Sequence, residues 1–135
     1  MLNGKSNIPQ PGFVRPESGP IGWIADNQAK GISAVSAVTI HATPAFSLEH
    51  QDDDRQKVGQ YLLEVAAPWL GSETAEFQIH AWRYARPRHE QDHPCLILNQ
   101  SPSLLVAGDA FGGPRVEGAV LSGWAAAETL KKRQP

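Results

Sequence analysis

The chain has 135 residues, 41% of them apolar, and twelve basic against fourteen acidic side chains leave a formal charge of −2. That length suits one domain with a core of its own, and the near-neutral balance argues against the basic patch of a nucleic-acid or anionic-membrane binder. One cysteine excludes an internal disulfide framework and a Cys-based structural zinc site, no apolar run reaches the roughly 18–20 residues that span a bilayer, and MLNGKSNIPQ is no secretory signal, so the expected setting is cytoplasmic.

Residues 1–20 carry Gly4, Pro9, Pro11, Gly12, Pro16, Gly19 and Pro20 with few apolar side chains, which predicts an irregular lead-in. Residues 21–25 rise in apolar content and run into the turn sequence of 26–31, a short strand and turn. Residues 34–42 (AVSAVTIHA) are β-branched and partly alternating, which predicts a strand with His41 near its end. Val58, Tyr61, Leu62, Val65, Ala66 and Trp69 recur at helical spacing and predict an amphipathic helix over 52–70. Asp52, Asp53 and Asp54 suit its positive end, and Pro68 with Gly71 marks its stop. Residues 75–83 (AEFQIHAWR) alternate again, as a strand does. A polar loop follows over 85–94, then two short apolar strands at 95–98 and 104–107 around a turn at 99–102. A helix over 114–131 closes the chain, with Pro114 at its first position, where a missing N–H costs nothing. The expected fold class is α+β: a mixed or antiparallel sheet of four or five strands, covered by the 52–70 helix, with the C-terminal strand–loop–helix docked beside it.

Residues 89–93, His89-Glu90-Gln91-Asp92-His93, match the zinc-protease pattern H-E-x-x-H literally. That chemistry needs a helix, so that two histidines one turn apart face one metal. Pro87 and Pro94 bracket the segment and no apolar periodicity supports a helix, so no metal site is assigned.

Residues 104–130, LLVAGDAFGGPRVEGAVLSGWAAAETL, carry more chemistry. An apolar strand ends at Gly108-Asp109, a glycine loop follows, and a helix begins. The amides of Arg115, Val116 and Glu117 at its start form an electropositive pocket for an anion or a polarised oxygen. Gly118, Ala119, Ser122, Gly123, Ala125, Ala126 and Ala127 give the helix a small-residue surface that a sheet or a flat cofactor must approach closely. The plainer alternative is an ordinary C-terminal helix with a Gly-Pro start. The segment is neither a P-loop nor a G-x-G-x-x-G fingerprint, and the latter occurs nowhere in the chain.

This strand–Gly-Asp–glycine loop–Val-Glu-Gly-Ala–helix segment resembles the C-terminal flavin-binding segment of FAD-dependent amine-oxidase-like enzymes, with the match closest to the renalase-like branch. Four further stretches support it in family order: Trp23-Ile24-Ala25-Asp26-Asn27, Thr39-Ile40-His41-Ala42-Thr43, Leu48-Glu49-His50 and Trp82-Arg83-Tyr84-Ala85. The resemblance implies FAD as cofactor. Asp109 would bond the ribityl or pyrophosphate region, Gly108 would let the backbone approach, and Gly112, Gly113, Arg115, Val116 and Glu117 would lie under the isoalloxazine and ribityl chain. It implies His41 and Asn27 as catalytic residues, and Trp82 and Arg83 as substrate-binding ones. The implied reaction oxidises a dihydronicotinamide, an isomer of NAD(P)H, by hydride transfer to flavin, with O2 as reoxidant. A flavin amine oxidase or desaturase acting on another substrate is the first alternative.

The residues also admit plainer roles: His41 as a satisfied strand-end histidine, Trp82 as core, His50 and His80 as structural, Arg15, Arg86 and Arg88 as solvated. The family's dinucleotide-binding unit, with G-x-G-x-x-G, is missing from the 135 residues. The expectation is therefore a C-terminal portion of a larger enzyme, inactive alone: a lead-in at 1–20, a substrate-domain portion at 21–103 and an FAD-binding segment at 104–135. The remaining alternative is a non-catalytic truncated fragment or oligomerising domain, forming a homo-oligomer through the face left by the missing domain.

Overall fold

Strand β1 (Phe13–Val14) pairs antiparallel with β2 (Ile21–Asp26), and β2 with β3 (Val38–Ala42), in the order β1-β2-β3. Val14, Ile24 and Ile40 stand directly opposite one another across this sheet. In the computed structural model, which describes residues 1–132, the sheet belongs to the first of two compact units, 1–81, and the second starts at residue 82. The last three residues of the segment expected over 104–135 lie outside the described residues. The chain is α+β, as its composition of periodic segments predicts.

After the sheet come α1 (Pro44–Glu49) and α2 (Arg55–Leu70). Asp54 is the residue that starts α2: its Oδ1 accepts from the Gln56 amide at 2.9 Å and the Lys57 amide at 3.1 Å. Pro68 does not stop the helix. It lies inside the last turn, and the helix runs on to Leu70, ending where Gly71 turns left-handed at φ 69°. A side chain at Gly71 would also run into Asn7, whose amide donates to the Trp69 carbonyl at 2.9 Å. The core closes where α2 meets the sheet, with Ile8, Ile21, Ile24, Ala66 and Leu70 buried.

Four further expectations need correction in this unit. The lead-in is not wholly irregular: Phe13 and Val14 add a strand to β2, Leu2 bridges Thr74, and Ile8 enters the core. The strand over 34–42 starts only at Val38, because the stretch before it is bonded elsewhere: the Ala34 carbonyl accepts from Gln28 Nε2, the Val35 backbone bonds Ser33 Oγ, and the Ser36 carbonyl accepts from the Leu2 amide. Helix α1, capped by Thr43, was not expected. No strand forms over 75–83. The Ala75 amide bonds the Met1 carbonyl, and Phe77 lies in the space over Gly59, so the alternation follows packing rather than pairing.

The second unit contains β4 (Leu96–Gln100) and β5 (Ser103–Val106) as an antiparallel hairpin, a single turn α3 (Asp109–Gly112) and α4 (Val116–Lys131). The hairpin is a separate sheet, so the single sheet of four or five strands divides into three strands and two. A boundary after residue 103 falls inside β5, whereas the compact units part at 81 and 82. The final helix starts later than Pro114. Arg115 is still extended (φ −143°, ψ 163°), its amide turned back onto the Gly113 carbonyl at 2.7 Å, so Pro114 stands outside the helix. Among the described residues no helix is long and apolar enough to cross a membrane.

Candidate functional site

The implied site residues fall into two groups, one in each unit. In the first unit, strand alternation puts Val14, Ile24 and Ile40 in one cross-strand row and Phe13, Ala25 and Thr39 in the next, on opposite faces. The second face carries His41, directly opposite Trp23, with ring centroids 5.0 Å apart and planes at 44°. His41 is exposed, and its ring contact with Trp23 holds it at the sheet surface. Phe13 lies 6.5 Å from the Trp23 ring, and the Lys30 ammonium sits 5.0 Å over that ring.

Asn27 is half-buried and occupied on several sides. Its Nδ2 donates to Thr39 Oγ1 at 2.8 Å, its amide to the Ala37 carbonyl at 2.8 Å, and its carbonyl accepts from Ile32 and Ser33. These bonds shape the β2–β3 turn, so Asn27 acts on the face by fixing the strands that carry His41. Beside it, Asp26 is a buried carboxylate that sequence reasoning gave no role. It accepts from Ser6 Oγ at 2.6 Å and from the Gln28 and Ala29 amides at 2.8 and 2.9 Å. Burial pushes its carboxyl upward, but the bonds from Ser6, Ala29 and Gln28 outweigh that and hold it below its ordinary value. A buried charge with three donors ties the lead-in to the turn. The signal available in sequence was an Asp at a strand end before a turn.

His50 has its Nδ1 2.7 Å from Asp53 Oδ2, and its ring lies 4.3 Å from Phe46. That arrangement joins the end of α1 to the approach to α2.

In the second unit, Gly108, Asp109, Gly112, Gly113, Arg115, Val116 and Glu117 are contiguous around α3 and the start of α4, as the sequence required. Their roles divide. Nothing stands within 4 Å of where a side chain would project from Gly108 or Gly113, so both backbones are open to a close-lying group. Gly112 is different: it packs backbone to backbone against Gly118, whose own missing side chain makes room for the Gly112 and Gly113 carbonyls. Gly112 thus serves helix packing. The Arg115 amide is spent on Gly113, which removes it from the expected anion pocket. Arg115 lends the first turn of α4 no side-chain acceptor. Asp109 is exposed at the start of α3.

Ser122 is the residue that the motif reading undervalued here. It is 1% exposed; its hydroxyl donates to the Pro94 carbonyl at 2.7 Å and accepts the Gly108 amide at 3.0 Å. It fixes the glycine that opens the loop. The Trp82 side chain is 77% exposed and not core, next to Arg83 in an irregular stretch. His89 and His93 likewise lie in bends, without the helix that a metal pair one turn apart requires. No family model matches the chain.

Proposed function

We propose that this chain supplies a substrate face and a flavin-side loop to an FAD-dependent oxidoreductase of the renalase-like kind, acting in the cytoplasm on a reduced nicotinamide nucleotide. The observation that carries the reading is the backbone around α3: open space over Gly108 and Gly113, and the uncapped start of α4 at Val116 and Glu117. These features support a planar anionic group at four of the seven cofactor positions: Gly108 and Gly113 would let it approach, and Val116 and Glu117 would offer their amides. Asp109, exposed one residue on from Gly108, is placed to accept from a hydroxylated chain. Gly112 and Arg115 serve the loop itself.

Bound FAD would supply two-electron chemistry, taking hydride from the reduced nicotinamide and passing the electron pair, with a proton, to O2 as hydrogen peroxide. The chain's own residues do the positioning. The α4 amides stabilise negative charge without reorganising, because the helix holds them in place. Ser122 keeps Gly108 in register with that helix. In the first unit, His41 and Trp23 offer a ring surface to the substrate, and Asn27 holds the strands beneath it.

FAD titrated into the purified chain, followed by flavin fluorescence, tests the reading. Quenching that Asp109→Ala weakens several-fold is the expected result. Absence of FAD binding, both by the chain alone and by the chain joined to a G-x-G-x-x-G unit, overturns it. In a reconstituted enzyme, His41→Ala is expected to slow flavin reduction while leaving FAD content unchanged.

A second reading, a non-catalytic associating module, is favoured by the apolar surface of α4, where Val116 is 83% and Trp124 66% exposed. Concentration-dependent self-association that Trp124→Lys abolishes would support it.

A further inference from the structure

The resemblance implies His41 and Asn27 at the substrate face and includes Trp23 without giving it a role; the fold sets Trp23 beside His41, with Phe13 and Lys30 against the Trp23 ring. Trp23 and His41 are cross-strand partners, Phe13 reaches the Trp23 ring from β1, and Lys30 arrives from the turn after β2. The Lys30 stem runs past Gly12, its Cγ 3.2 Å from where a side chain would project there, and this route delivers the ammonium over the indole. Among the described residues no carboxylate lies within 4.0 Å of that ammonium. The nearest acid in sequence, Asp26, is committed to Ser6, Gln28 and Ala29. The face therefore pairs two heteroaromatic rings with a cation that the indole holds and nothing neutralises.

We infer that Lys30 reads the phosphate of the reduced nicotinamide nucleotide, and that Trp23 with His41 receives its ring. This rests on the proposed function for the identity of the nucleotide. The complementarity is chemical: a flat ring meets rings, and a phosphate a few ångströms away meets an unpaired ammonium. Charge complementarity of this kind selects phosphorylated over unphosphorylated ligand more than it raises affinity for the ring.

The test uses the whole chain without flavin, so it is independent of FAD binding. Reduced nicotinamide mononucleotide and the corresponding riboside are titrated separately, reading NMR shifts of the Trp23 indole N–H and the His41 ring. The nucleotide is expected to bind roughly five- to tenfold more tightly than the riboside. Lys30→Gln should bring that ratio to about one, while Lys30→Arg should keep it, with circular dichroism unchanged in both. Equal affinities in the unaltered chain, a ratio that survives Lys30→Gln, or shifts absent from Trp23 and His41 would each overturn the inference. A chain that binds FAD and shows no discrimination refutes the role of Lys30 alone; one that discriminates but never binds FAD refutes the flavoenzyme reading alone.

Discussion

The two units of this chain solve the same problem unequally. In residues 1–81 a helix lies on a sheet, both elements turn an apolar face inward, and Ile8, Ile21, Ile24, Ala25, Ala66 and Leu70 are buried. From residue 82 on, no hydrophobic side chain is buried among the described residues; the buried positions are Gly118 and Ser122. The second unit is not poor in apolar residues: Leu96, Leu98, Leu104, Leu121 and Trp124 are all exposed. Its trouble is geometry. A two-stranded hairpin has too little area to cover a helix, and the helix meets its neighbours through glycines and a serine, which remove little apolar surface from water. The first unit is a platform held by burial, and the second is a loop and helix held by close backbone contact and hydrogen bonds. The second unit leaves much of its apolar surface exposed.

The sharpest way to break this comparison is to truncate one apolar side chain in each unit. Ile24→Ala removes a fully buried side chain and is expected to cost about 2–5 kcal/mol, read by thermal or urea unfolding. Leu121→Ala, on the exposed side of α4, should change stability by less than about 0.5 kcal/mol. Comparable losses at the two sites would show that the second unit has a core after all. Next in size is Ser122→Ala, which strips the Gly108 amide and the Pro94 carbonyl of their shared partner. It should cost the second unit roughly 1–3 kcal/mol, seen as faster hydrogen exchange at the Gly108 amide with exchange in α2 unchanged.

Acid should separate the units as well. Because Asp26 is held below its ordinary value, the stability that it contributes is complete above about pH 4 and is lost as pH falls through its folded value. Ser6→Ala removes one of the bonds that lower it, so the acid midpoint of the first unit should move to higher pH. The neutral-pH cost should be about 1 kcal/mol. A midpoint that stays in place would mean that the Ser6 bond does not set the titration. A loss of similar size is expected at the start of α2, where Asp54→Ala forfeits bonds to two amides and about 1 kcal/mol or less, read by thermal unfolding.

Much of this was legible in residue order. The spacing from Val58 to Trp69 located α2, with Asp54 at its head and Gly71 at its end, because capping and periodicity are local chemistry. The β-branched run ending in His41, and the paired apolar stretches around the turn at 99–102, became strands for the same reason. The alternation over 75–83 misled, since Phe77 points inward to fill the space over Gly59 and a period of two arises from packing without any partner strand. Pro114 misled in a subtler way. Proline suits a first helical position, but Gly113 and the turned-back Arg115 amide delay the helix by two residues.

Local order also marked part of the candidate site. The Gly108–Glu117 stretch stands out by residue type and spacing, whereas His41 and Asn27 are named only by the family resemblance. Trp23 beside Lys30, and Ser122 between Gly108 and Pro94, do not stand out, because each contact joins positions that only folding brings together. What the sequence by itself determined was the two long helices, most of the strands, and the glycine loop with its nearby amides, all set by interactions within a few residues. The tertiary structure alone decided which face of the sheet meets α2 and which carries the rings, why Asp26 stays charged while buried, and which apolar residues found cover. Those outcomes depend on long-range burial, and burial is a property of the partner an element meets as much as of its own side chains.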